Sequence, residues 1–166
     1  MNTETQYEKL QAIGKSAFET IAEMVAALEC DYDRLEELRE ARDDADDAEA
    51  WAAENEADAE ELAELETQAG DCESREDAEQ RINDDPLSVE VRSSWVTPGE
   101  EMTPTEFCIL LGTGGPATRI RGELDEHGEP DRAWLEAQDW GTPWTQYQGG
   151  DQDTLLAYSR QFCFAS

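Results

Sequence analysis

Positive charge is what this sequence has least of. Lysine occurs only at Lys9 and Lys15 and histidine only at His127, and 12 Lys and Arg stand against 42 Asp and Glu, a formal net charge of −30. A surface so negative repels phosphate, which excludes direct binding of nucleic acid. Long apolar runs are also missing, and this excludes a membrane-spanning helix. The opening MNTETQYEKLQAIGKS has no basic start ahead of an apolar core, so it does not read as a secretory signal. Cysteine is sparse and scattered. Cys30, Cys72, Cys108 and Cys163 form no C-x-x-C pair, and one histidine cannot complete a zinc site. Reduced, mostly buried thiols in a cytoplasmic protein are the expectation.

What is present is apolar and aromatic. Hydrophobic residues make up 38% of the chain, with five Trp, four Tyr and four Phe, more than a disordered chain carries. At 166 residues this suits one domain, or one domain with a helical appendage. The charge is uneven. Residues 1–28 carry a net of −2, residues 29–85 a net of −20, and residues 86–166 a net of −8. Adaptation to high salt spreads acid over a whole surface, and concentration in one segment argues against it.

The first segment reads as a helix, with Leu10, Ile13, Ala17, Ile21, Met24 and Leu28 recurring at spacings of three and four and Phe18 and Val25 widening the stripe. Such a stripe packs on the body of the protein or on a partner helix. A second helical pattern starts near Asp31, where Asp33 and Glu36 resemble a capping box ahead of Leu35 and Leu38. From Ala41 to Ala69 the chain is mostly Ala, Glu, Asp and Leu, without Pro or Gly. Trp51, Leu62 and Leu65 give it a thin apolar seam, and Gly70 ends it. Ser74 to Asp77 opens a short helix to Asn83.

At Pro86 the period changes. Leu87, Val89 and Val91 alternate with polar residues, FCILLGT and ATRIRGELDE read as strands, and DRAWLEAQ pairs with the latter across HGEP. Asp153 to Phe164 suits a closing helix, or a strand over QFCF. The expected fold is α+β: an acidic helical region with a helical hairpin over residues 1–85, then an antiparallel sheet with helical cover over residues 86–166.

No constellation supports catalysis. EF-hand spacing from Asp43 or Asp125 puts Ala48 or Pro130 where the loop needs glycine. GTGGP, Gly112 to Pro116, lacks the Lys and Ser/Thr of a phosphate loop and reads as a turn. His127 and Glu129 match H-x-E, but no P-C-x-x-C follows. No cofactor, metal or enzymatic role is expected. The aromatics Trp134, Trp140, Trp144 and Tyr147 read first as packing of a small sheet. In the functional alternative Trp140, Trp144 and Tyr147 form a specificity patch for a protein partner.

The acidic block points to mimicry of DNA. A helix rises about 1.5 Å per residue, so residues 29–85 laid end to end span on the order of 85 Å. Their net of −20 is one charge per roughly 4 Å, against about 3.4 Å for one DNA strand and about 1.7 Å for the duplex. Folding back as a hairpin doubles the density. Asp43, Asp44, Asp46, Asp47, Glu49, Glu54, Glu56, Asp58, Glu60, Glu61 and Glu64 are the candidate phosphate mimics.

From residue 70 to 164, and above all in GELD and QDWGTPW, the sequence resembles a family of small acidic proteins of bacterial phages and prophages. The resemblance implies a phage-related origin and the cytoplasm of a bacterial host, and it assigns no chemistry. By class it is similar to the DNA-mimicking anti-CRISPR and antirestriction inhibitors. The expected partner is a basic nucleic-acid-binding protein or a CRISPR or restriction complex. The alternatives are a phage structural or chaperone-like protein that assembles through its heptad helix, with a homodimer possible, and a sequestering factor for host RNA polymerase or another DNA-binding enzyme.

Overall fold

The structure, a computed structural model, describes residues 3–165 and is α+β, with five helices, a five-stranded antiparallel sheet and a closing helix. Its contacts fall into two compact units: Glu23–Arg81 is wholly helical, and the chain up to Ala22 together with Ile82 onward holds the sheet. The sequence reading placed the line after residue 85. The division differs because most of α1 (Thr3–Leu28) belongs with the sheet. The stripe on α1 is used within one chain, for Leu10, Ile21, Met24, Val25 and Leu28 are buried.

In the helical unit, α2 (Tyr32–Asp43) starts at Asp31, whose carboxylate accepts from the Arg34 amide at 3.0 Å. The capping pair expected at Asp33 and Glu36 lies two residues too late. The run from Ala41 to Ala69 is broken twice. Asp44 to Asp47 leave the helix, because a short acid bonds its own backbone and favours caps and turns. Asp47 then caps α3 (Ala48–Glu54) by accepting from the Glu49 amide at 2.9 Å. Asn55 donates from its side chain to the Trp51 carbonyl at 3.0 Å and separates α3 from α4 (Glu56–Ala69). The segment folds back, so that Leu62 and Ala69 of α4 join Cys30, Leu35 and Leu38 in one core, with Tyr32, Trp51 and Leu65 at its rim. Gly70, at φ 58°, ends α4. The Ser74 hydroxyl accepts from the Asp77 amide to open α5 (Arg75–Asp84).

The sheet runs β1 (Ser88–Ser93), β2 (Pro104–Gly112), β3 (Ala117–Leu124), β4 (Pro130–Gln138) and β5 (Thr145–Gln146) in chain order, each antiparallel to the next. Register places Val89, Ile109, Ile120 and Leu135 in one row across the strands and Val91, Phe107, Gly122 and Ala133 in another. From β2 to β4 these rows are buried. Gly122, the glycine of GELD, is required by close approach. A Cβ there would run into the Phe107 ring and the Arg132 carbonyl. Helix α6 (Gln152–Ser159) packs on β4 through buried Leu155, Leu156 and Tyr158, and the Phe164 ring lies 4.7 Å from that of Phe107. QFCF is not a strand. The other face is a ladder of ion pairs matched to the register: Arg92 to Glu106 at 2.7 Å, Arg119 to Glu136 at 2.7 Å and Arg132 to Glu123 at 3.4 Å.

Strand β1 departs from expectation. Its alternation predicts a half-buried strand, yet Leu87, Val89 and Val91 are all exposed, because β1 lies at the sheet edge.

Candidate functional site

The helical unit Glu23–Arg81 holds 24 acids and five bases, a net of −19 out of −30. Both of its longer acidic helices sort these charges by face. On α2, Leu35 and Leu38 are buried, and Arg34, Arg39 and Arg42 flank them half-buried. At a period of 3.6, Asp33, Glu36, Glu40, Asp43 and Asp44 fall on the opposite side, and all five are exposed. On α4, Leu62 and Ala69 point inward, and Glu56, Glu60 and Glu64 form an exposed row at i, i+4 and i+8, about 6 Å apart in rise.

The inner acids are neutralised across the seam. The Arg34 guanidinium donates to Glu61 at 3.1 and 3.0 Å and to Asp58 at 3.3 Å, while Arg39 and Arg42 both reach Glu66, at 3.3 and 3.5 Å. This pairing holds the Glu61 carboxyl below the usual carboxylate range and Arg34 above its own. The arginines on α2 thus consume the acids that face α2. Most of the outer acids, Asp33, Glu36, Glu40, Glu56, Glu60 and Glu64 among them, make no ion pair among the described residues.

Most of the acids singled out in the sequence are in this outer set. Asp43 pairs with its neighbour Arg42 at 3.2 Å. Asp44 and Asp46 lie exposed between the helices, Asp47 caps α3, and Glu49 and Glu54 are exposed on α3. Asp58 and Glu61 are different. They are half-buried and held by Arg34, so they belong to the framework. Asp33, Glu36 and Glu40 belong to the same outer set and were not among the candidates, because they precede the densest acidic run, which begins at Asp43.

The three aromatics of the suggested specificity patch do not share a surface. Tyr147 packs its Cβ against Gly14 of α1, with its ring 6.0 Å from that of Phe18. Trp144 lies under the Arg119 guanidinium at 4.0 Å. Trp140 alone is open, 79% exposed. The loop that carries them is fastened to α1. Lys9 pairs with Asp139 at 2.5 Å, and the Gln11 amide donates to the Gln146 carbonyl and accepts from the Gln148 amide, both at 2.9 Å. Gln11 therefore pairs with backbone as a neighbouring strand does.

GTGGP is the turn between β2 and β3. His127 is exposed in the next turn, where Asp125 accepts from the amides of His127 and Glu129 at 2.8 and 3.0 Å. All four cysteines are free, with Cys30 and Cys72 buried and Cys163 exposed. Among the described residues there is no group of side chains that could hold a metal ion, and no helix is long and apolar enough to cross a membrane. No protein-family model matches this chain, and comparisons with curated proteins and with solved structures give no match either.

Proposed function

We propose that the helical unit imitates the phosphate surface of DNA and inhibits a bacterial DNA-targeting defence complex, of the CRISPR or restriction kind. One observation carries this reading: on the outward arcs of α2 and α4, Asp33, Glu36, Glu40, Glu56, Glu60 and Glu64 make no ion pair among the described residues, and they stand on a framework whose inner acids are already bound by Arg34, Arg39 and Arg42. A fixed array of like charge costs little further ordering when it meets a basic groove, and the field of the whole unit steers the encounter. The sheet face offers no such surplus, since its arginines and acids are matched. Assembly through the heptad stripe of α1 is not favoured, because most of that stripe is covered within one chain.

The test is capture of bacterial lysate proteins by the tagged chain, with duplex DNA as competitor. Replacing Glu36, Glu40, Glu56, Glu60 and Glu64 by Gln neutralises the α4 row and two carboxylates of the α2 arc and leaves the Arg34 pairs in place. The expected result is capture of a DNA-binding complex that DNA releases and that the variant no longer binds. Equal capture by the folded variant overturns the reading.

A further inference from the structure

Strand β1 pairs with β2 on one side and, among the described residues, with no strand on the other. Its open edge is apolar on one face. Leu87, Val89 and Val91 are 60%, 39% and 45% exposed, although Val89 and Val91 stand in register with buried Ile109 and Phe107. Just past the strand, Trp95 is fully exposed. Natural sheets avoid an apolar open edge unless something pairs with it.

The opposite face of β1 indicates what pairs. It carries Glu90 and Arg92, charges of opposite sign two residues apart, of which Arg92 already meets Glu106 of β2 at 2.7 Å and Glu90 has no ion pair among the described residues. Two copies of one strand pair antiparallel about a two-fold axis normal to the sheet, and the side-chain period of two then requires the axis to pass through a residue position. Centring on Glu90 sets two glutamates opposite each other, and centring on Arg92 sets two arginines opposite each other. Centring on Val89 leaves both charges without an opposite partner. Centring on Val91 sets each Glu90 against the second copy's Arg92, Val91 against Val91, and Leu87 toward Trp95. Of these four registers, only this one sets opposite charges across the axis and apolar side chains against each other.

We infer that β1 is the interface of a homodimer, paired antiparallel about Val91, in which two five-stranded sheets become one. The occupant is a second copy because the complementarity is of the strand with itself. Association brings together two chains of formal charge −30 each, so it strengthens with added salt, the reverse of binding to a basic partner.

Sedimentation equilibrium of the full chain tests this, from micromolar to millimolar concentration and at low and moderate salt. The expected result is a monomer–dimer equilibrium from 18.6 kDa to twice that mass, shifted toward dimer by salt. Val91→Lys sets two ammonium groups face to face at the axis and raises the dimer Kd by about tenfold or more. Register is tested by mixing. Glu90→Arg alone and Arg92→Glu alone each set like charges opposite and dissociate, whereas an equimolar mixture of the two restores both pairs and forms the heterodimer. Circular dichroism of each variant separates loss of pairing from loss of fold. A chain that stays monomeric at all concentrations overturns the inference and leaves the edge to a strand of another protein. A dimer unmoved by Val91→Lys, or a mixture that stays monomeric, overturns it as well. Val91 is remote in sequence from the acidic helices and outside their outer rows, so capture of a DNA-binding complex persists in Val91→Lys and the two readings fail separately.

Discussion

Arg34 grips Glu61 with two parallel hydrogen bonds, from Nε to Oε1 at 3.1 Å and from Nη2 to Oε2 at 3.0 Å. The same guanidinium reaches Asp58 at 3.3 Å and Glu37 at 3.2 Å. One cation therefore organises three carboxylates, and a planar fork suits this task where a lysine ammonium does not. Arg34→Lys keeps the charge and loses the paired geometry. It lowers the thermal midpoint of the helical unit, and Arg34→Ala lowers it further, as circular dichroism melts will report.

Acid should weaken the fold in a defined direction. The Glu61 carboxyl is held low by the Arg34 hydrogen bonds, Glu106 by Arg92, and Asp139 by Lys9. Each has a folded pKa below its unfolded one, so its contribution is complete above the ordinary carboxylate range and disappears as pH falls through the folded value. Denaturant midpoints measured from pH 7 downward should fall below about pH 4, the unperturbed carboxylate value. For Arg34→Ala the Glu61 share of that fall is absent.

Salt should act the other way at neutral pH. The outer rows of α2 and α4 repel themselves, and at about 0.15 M salt the screening length is about 8 Å, close to the spacing within a row. The melting temperature should therefore rise from low to moderate salt. Replacing Glu56, Glu60 and Glu64 by Gln should raise it at low salt and flatten the dependence. A salt-independent wild-type melt would contradict the view that these carboxylates are uncompensated.

Tyr158 is fully buried and its hydroxyl donates to Asp85 Oδ2 at 2.6 Å. Burial, then the Asp85 hydrogen bond, push its pKa well up. The sign is opposite to that of the carboxylates. Its contribution is complete below the ordinary tyrosine value near pH 10 and is lost as pH rises beyond it. Tyr158→Phe should cost about 1.5–3 kcal/mol, the range for a hydrogen bond to a charged group, measured by urea unfolding.

Two glycines should resist alanine, for reasons that propensity does not contain. In mid-helix, Gly14→Ala ought to gain about 1 kcal/mol. Here the new Cβ would meet Tyr147 Cβ at 2.7 Å, so the substitution should destabilise instead. Gly122→Ala forces the Phe107 ring aside and should cost about 1–3 kcal/mol as overpacking does. A stabilised Gly14→Ala protein would mean that the 139–148 loop is not fastened to α1.

Much of this was legible in the chain. FCILLGT read as a buried strand, ATRIRGELDE as another and DRAWLEAQ as its hairpin partner across HGEP, and β2, β3 and β4 lie on these three segments. Ser74 and Asp77 announced α5 because a capping pair is local chemistry. The breaks at Asp44 to Asp47 and at Asn55 were not legible. Composition averaged over Ala41 to Ala69 says helix, while individual short polar side chains decide where the helix stops. The framework role of Asp58 and Glu61 was invisible for another reason: it depends on one arginine, Arg34, which lies 24 and 27 residues earlier in the chain. Exposure of Leu87, Val89 and Val91 likewise depends on which strand ends the sheet, and alternation cannot report that.

The helical unit is one unbroken stretch of chain, whereas the sheet-bearing unit is assembled from the two ends. A ribosome therefore finishes every residue of the acidic body before it has made a single strand. The first turns of α1 emerge without the Tyr147 ring, the Asp139 carboxylate and the Gln146 backbone that later hold them. During synthesis the acidic body can form as an independent unit while its N-terminal flank waits, apolar side chains uncovered, for the last quarter of the protein. Truncation between Arg81 and Tyr147 should leave the acidic helical unit folded and that flank exposed to protease.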